Sequence, residues 1–230
     1  MENLAQTILK IMVIAPPVIF AIIVHEVAHG WVANKLGDPT ARNMGRLTLN
    51  PVRHIDLFGT IIMPLLLYAM TYDSPSGPTV FGYAKPVPIN PYNFKDPKKG
   101  MALSSLAGPG VNMIMAMSFA FVLRFVMPAL EGPIPKPAWD WFAVPVALML
   151  GYGVIVNVVL AVLNMIPVPP LDGSRIVYWL LPDRQAAAYY RLERFGMLIL
   201  LALLGTGIIA RVITPIIRPI LFFLLGENIF

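Results

Sequence analysis

Apolar residues run almost without interruption from Ile8 to Val24, and the helical pattern continues through His29 to about Leu36, where Gly37-Asp38-Pro39 ends it. Within this run Pro16-Pro17 is expected to break the helix. A segment of this length can cross a bilayer, with its polar end toward one side. Residues 38–56 are polar and hold Arg42, Arg46, Arg53, His54 and Asp56. The next apolar run, Leu57 to Met70, has only 14 residues, where a spanning helix needs about 20. It reads as a re-entrant or tilted segment, or as a span in a thinned bilayer, and Asp56 stands where its N-cap belongs.

From Thr71 to Gly100 the chain turns polar and rich in Pro and Gly. Val80 to Ile89 has β-type residues cut by Pro86 and Pro88, which predicts an edge strand or a hairpin. Such an edge could pair with an extended substrate backbone or serve as an ordinary connection, and the pattern supports both equally. Met101 to Leu130 and Trp141 to Ile166 are long enough to span, and Trp139 and Trp141 in the link between them suit a membrane interface. Ala107-Gly108-Pro109-Gly110 near the start of the former lets another helix approach closely.

Pro167-Val168-Pro169-Pro170-Leu171-Asp172-Gly173 cannot continue a helix and delivers a carboxylate on irregular backbone at membrane depth. A short helix follows from Ser174 to Leu181, then a charged stretch over 183–194. Phe195 to Leu225 is apolar but interrupted by Arg211, Pro215, Arg218 and Pro219. It reads as one span to about Ala210 and a second segment that spans poorly or lies near the interface. These runs predict an all-α membrane protein: a polytopic bundle of about 4–6 transmembrane helices with a small membrane-associated β-hairpin or edge strand, organised as a single domain over 1–230.

Composition sharpens this picture. The chain is 57% hydrophobic and 13% charged, with a mean hydropathy of +0.72, whereas soluble domains are about half apolar and about a quarter charged. A net charge of +5 does not argue for nucleic acid, because the Lys and Arg are spread through the connections, where anionic lipid headgroups account for them better. Residues 30–56 and 71–100 carry four Lys plus Arg each, so the positive-inside rule fixes no orientation if the segment between them crosses. With no cysteine, a zinc ion here would have to be held by His and carboxylate.

That chemistry has one compact candidate. His25-Glu26-Val27-Ala28-His29 places two imidazoles one helical turn apart on one face, with a carboxylate beside them. In this H-E-x-x-H arrangement the histidines are zinc ligands and the Glu takes a proton from water. Histidines paired in a helix interior, or a proton path, are the plainer readings, but ionisable groups at membrane depth are costly and usually functional. A catalytic zinc takes three protein ligands, and Asp172 is the best third; on spacing alone it could equally cap the helix after it. Asn112 and Asn164 could anchor substrate or act as helix-to-helix glue.

Together these features resemble the site-2 protease family of intramembrane zinc metalloproteases. The resemblance rests on His25 to His29, Gly37 to Ala41, Asn50-Pro51 through His54-Ile55-Asp56, Gly82 through Pro88, Ala107-Gly108-Pro109 with Asn112, and Asn164 through Pro170-Leu171-Asp172-Gly173, in order along most of the chain. It implies that His25, His29 and Asp172 bind one zinc and that Glu26 activates the water. It further implies that His54 lies near the site as a catalytic residue, that Asn112 and Asn164 hold substrate, and that the strand around Tyr83 to Val87, with Tyr83, Ala84 and Lys85 as its substrate-binding residues, guides it.

The implied partners are a transmembrane protein substrate and the lipid bilayer of the cell membrane. Polar connections near 30 residues leave no room for the PDZ or nucleotide-sensing modules of larger relatives, and the usual helix before the metal motif is also expected to be missing. The competing functions are a membrane metal transporter, which would need ligands at successive depths, and an inactive scaffold that binds transmembrane helices. Oligomeric state is not legible from the sequence.

Overall fold

A computed structural model describes residues 4–72 and 82–226 of the chain. Helix α1 spans Leu4–Lys35, α2 Leu57–Thr71, α3 Pro97–Glu131 and α4 Lys136–Asn164. Shorter helices follow: α5 Gly173–Leu180, α6 Asp183–Tyr190, α7 Gly196–Gly205 and, longer again, α8 Ile208–Leu225. Four of these, α1, α3, α4 and α8, are long and apolar enough to cross a membrane, with mean hydropathy between 1.9 and 2.5. Only 17–28% of each apolar window is buried inside the protein, so most of this apolar surface faces outward, which suits hydrocarbon rather than water.

Two expectations about breaks are corrected. Pro16 and Pro17 lie inside a continuous α1. Each removes one helical donor, but Pro17 is buried against α4, where Gly153 leaves room for it, and without water to compete for the freed carbonyls such packing holds the helix together. In the last apolar stretch the break falls at Thr206-Gly207, where Gly207 has φ +71°. The first piece, α7, is ten residues and short of a span, whereas α8 runs 18 residues through Pro215 and Pro219.

Other boundaries match the sequence closely. α1 ends at Gly37, which takes φ +112°, a conformation open to glycine. Asp56 caps α2 by accepting the N–H of Gly59 at 2.7 Å. Asp172 precedes α5 but its side chain makes no cap hydrogen bond, so its carboxylate is free for another role.

Among the described residues no β-strand forms. Val80 and Phe81 of the expected hairpin lie outside them, and residues 82–90 run without regular structure. Pro86 and Pro88 lack the donors a ladder needs. The segment bonds instead to neighbouring loop and helix ends, with Tyr83 N–H donating to Gly59 O at 3.0 Å and Lys85 N–H to His54 O at 2.9 Å.

The core lies where α3, α4 and α8 meet: Ala116, Ala120, Val154, Val158, Ile217, Leu221 and Leu224 are buried together. Small residues bring α3 within reach of α1, and that closeness shapes the polar centre.

Candidate metal centre and active site

Three ligand atoms converge at the C-terminal third of α1. The Nε2 atoms of His25 and His29 are 3.0 Å apart, and Asp172 Oδ2 lies 3.2 Å from the first and 3.3 Å from the second. Both histidines are buried and Asp172 largely so. All three ligand atoms lie within 4.8 Å of one another.

The surroundings fix which nitrogens carry protons. His29 Nδ1 faces the carbonyl of Ser104 at 2.7 Å, so it must be the donor. Asn112 gives its Nδ2 to Ala21 O and to Asn157 Oδ1 at 2.6 Å, which turns its Oδ1 toward His25 Nδ1 at 2.5 Å. Both Nδ1 atoms are thereby donors, and both Nε2 atoms present lone pairs to the same point as a carboxylate oxygen. Asp172 Oδ2 has no hydrogen-bond donor of its own. Three electron-pair donors facing one another repel unless a cation joins them, and two imidazoles with one carboxylate are a catalytic zinc's ligand set. The residues present fit that ion.

Close packing imposes this geometry. A Cβ on Gly108 of α3 would stand 2.5 Å from His29 Nε2 and 2.6 Å from His25 Cε1, distances no side chain tolerates. Asp172 reaches the pair because the loop after α4 folds back on itself, with Leu171 N–H bonded to Val168 O at 2.9 Å and Tyr189 Oη bonded to Pro167 O at 2.9 Å. Gly173 sits on the Met165 carbonyl, where a Cβ would be 2.3 Å away.

Glu26 is partly buried, and its Oε2 accepts the N–H of Val87 at 2.8 Å. The Val87 side chain is buried against Gly30, one turn further along α1. Beyond Val87 the same segment is tied down by Asp38, which is fully buried and accepts from Asn90 N–H at 2.7 Å, Asn93 Nδ2 at 2.7 Å and Thr40 N–H at 3.1 Å. Burial alone would raise the Asp38 pKa, but hydrogen bonds from Thr40, Asn93 and Asn90 outweigh it and hold the carboxyl below its ordinary range.

A cleft of about 380 Å³ opens beside His25, lined among others by Tyr83, Ala84, Leu163 and Asn164. Asn164 donates its Nδ2 to Leu160 O at 3.0 Å, a bond that leaves its Oδ1 uncommitted. The other sequence candidates lie elsewhere. Lys85 is exposed, and its carbonyl accepts from Arg46 at 2.8 Å. His54 is buried at 2% exposure, its Nε2 donating to Thr48 O at 2.8 Å, and it does not line the cleft. Asn112 is fully buried behind His25, with its amide committed to His25, Ala21 and Asn157. Sequence reasoning noted Asn157 only as a polar residue in an apolar span and Val87 only as the end of the substrate-guiding strand; the bond from Val87 N–H to Glu26 left no signal, because it is made by the backbone.

Comparison with known proteins bears on this geometry. The sequence profile of peptidase family M50 matches residues 125–206. YwhC of Bacillus subtilis, which bears a zinc metalloprotease name, is 37% identical over 84% of this chain and 80% of its own length. Rip2 of Mycolicibacterium smegmatis and Rip2 of Mycobacterium tuberculosis, also under zinc metalloprotease names, are each 27% identical, over 84% and 88% of this chain and 66% and 70% of their own lengths. No solved structure matches the chain.

Proposed function

The chain belongs to peptidase family M50, the site-2 protease family of intramembrane zinc metalloproteases, and from that premise we propose that it hydrolyses peptide bonds within or near the transmembrane segments of membrane-tethered proteins. His25, His29 and Asp172 hold the zinc, acting within a single domain in the cell membrane. The observation that carries this reading is the convergence of two Nε2 lone pairs and a carboxylate at one buried point, with both Nδ1 protons committed elsewhere. When bound, zinc supplies a Lewis acid that polarises water and a carbonyl oxygen.

The chain's own residues do the rest. Val87 N–H fixes Glu26 Oε2, which leaves Oε1 to take a proton from water and pass it to the leaving amine nitrogen. A peptide bond inside a helix is shielded by its own hydrogen bond, so the substrate must unwind first. The extended segment suits an unwound chain. Tyr83, Lys85 and Val87 turn their N–H groups toward the protein, and the alternation of extended backbone turns the N–H and C=O of Ala84 the opposite way. Ala84 lines the cleft, so a substrate strand pairs there by strand addition.

Tyr83 flanks this edge and Asn164 Oδ1 accepts a substrate amide. Asn112 serves the site by orienting His25, and His54 by holding Lys85 N–H on its carbonyl. No observation favours a metal transporter. Among the described residues the metal-ligating groups form one cluster, not a succession across the membrane.

The test is metal-dependent cleavage of single-span model proteins in liposomes. The reading expects about one zinc per chain, loss of cleavage on chelation and recovery on adding zinc back. Cleavage that continues with the metal removed contradicts it.

A further inference from the structure

Helix α8 carries two charges on one side. Arg211 and Arg218 are seven residues apart, which places them on the same face about 10 Å from each other along the axis. Both are exposed, and neither guanidinium makes a hydrogen bond or ion pair with any described residue. Pro215 and Pro219 add to the polarity of this face, because the carbonyls of Arg211 and Pro215 lose their usual helical donors.

The packing of α8 sets the depth of Arg218. Arg124 of α3 donates to Phe223 O at 2.9 Å, Val212 and Ile216 share a groove with Pro109 and Met113, and Ile217 packs with Ala116. α8 therefore runs alongside α3 in the same direction, with Arg218 level with the middle of the Pro97–Glu131 span. An exposed guanidinium at that depth is costly in hydrocarbon, and such groups pair with an acid or face a wet cavity. No carboxylate of the described chain can serve. Glu26 is held by Val87 and Asp172 faces the histidines; Asp38, Asp56 and Asp96 accept backbone N–H groups; Asp183 and Glu193 pair with Lys98 and Arg175; and Glu131 and Asp140 stand at the ends of α3 and α4. A second copy brings the same shortage. Lipid phosphates stay at the interface, about 15 Å from the midplane, beyond the reach of Arg218.

We propose that the Arg211–Arg218 face of α8 docks a transmembrane helix of another protein, one carrying Asp or Glu side chains two turns apart. In hydrocarbon each guanidinium pairs with a carboxylate through two parallel hydrogen bonds, and the residues around Phe222 supply apolar contact. This rests on α8 crossing the membrane and not on proteolysis, so a binding readout tests it independently of the enzyme assignment.

The experiment places a photo-crosslinking side chain at Phe222, which is exposed on the same face, in the zinc-loaded Glu26→Gln protein, so that captured helices are not cut. The probes are polyleucine spans in phosphatidylcholine liposomes, carrying two central Asp residues seven apart, two Asn residues there, or neither. The Asp span is expected to crosslink at least tenfold more than the Asn span, to lose that advantage with R211L/R218L, and to keep part of it with R211K/R218K. Zinc retained by R211L/R218L shows that the variant folds. Equal capture of the Asp and Asn spans overturns the proposal, as does capture that survives R211L/R218L. Abolition of capture by phosphatidylglycerol, which assigns the face to lipid headgroups, or capture of a second copy of the chain instead, overturns it too.

Discussion

Val87 gives its backbone N–H to the carboxylate of Glu26 across 2.8 Å, joining the segment that faces the cleft to the residue that follows His25 on α1. These residues are 61 apart in sequence, and a main-chain donor leaves no mark in side-chain identity. The bond holds one oxygen of the carboxylate and thereby aims the other.

Removing only that donor should slow turnover. Val87→Pro deletes the N–H, and a hydrogen bond to a charged group contributes about 1.5–3 kcal/mol, so kcat should fall about tenfold or more. Zinc content should be unchanged and KM should move little. Steady-state cleavage with metal analysis separates these, and a lowered zinc content would show that the variant acts on the metal instead.

Gly108 and Gly110 make a matched pair two residues apart on α3. A Cβ at Gly108 collides with both histidine rings, whereas at Gly110 nothing lies within 4 Å. Gly108→Ala should therefore lose zinc affinity and activity by about 10–100-fold, the range seen when groups that orient metal ligands are disturbed. Gly110→Ala should stay near wild type. Zinc competition with a coloured chelator reads both.

Asn112 fixes the tautomer of His25 through an amide whose own orientation is set by Asn157. Asn112→Leu should weaken zinc binding by about 10–100-fold without abolishing folding, since Leu has similar volume. Asn157→Leu should act in the same direction and less strongly. Because the two residues form one chain, the double variant should cost less than the product of the single losses.

Much of this site was legible in the sequence because its signals are local. The His25/His29 spacing, the Asp56 cap and the end of α1 at Gly37 each depend on a few adjacent residues, and the structure has all three. The misreadings share another cause. Pro16-Pro17 and Pro215 were weighed by propensities that assume water, but a helix in hydrocarbon has no alternative partner for its backbone and continues through them. Asn112 read equally as a substrate anchor or as helix-to-helix glue, and only its distant contacts show that its amide joins α3 to His25 and Ala21 of α1 and to Asn157 of α4. Asp172 shows the limit of spacing itself: capping and ligation were equal on spacing, and the fold leaves its side chain without a cap bond and facing the histidines.

Asp38 gives the protein an acid-sensitive tether. Its carboxyl is held below the ordinary value of 3.8. The folded state therefore binds the proton less readily than the unfolded chain. The stability it contributes is fully present above about pH 4, the unfolded carboxylate value, and is lost as pH falls through the lower folded value. Asp38→Asn should lower the melting temperature at pH 7, and the gap between variant and wild type should shrink below pH 4. Thermal unfolding in detergent at the two pH values measures this; a gap that widens in acid contradicts the sign.

The central claim is that His25, His29 and Asp172 hold a hydrolytic zinc and that Glu26 handles the proton. Purified wild type and Glu26→Gln, each assayed for zinc and for cleavage of the same single-span substrates, test it most directly. The account predicts about one zinc in both proteins and cleavage by wild type alone. Cleavage by Glu26→Gln at the wild-type rate would contradict it.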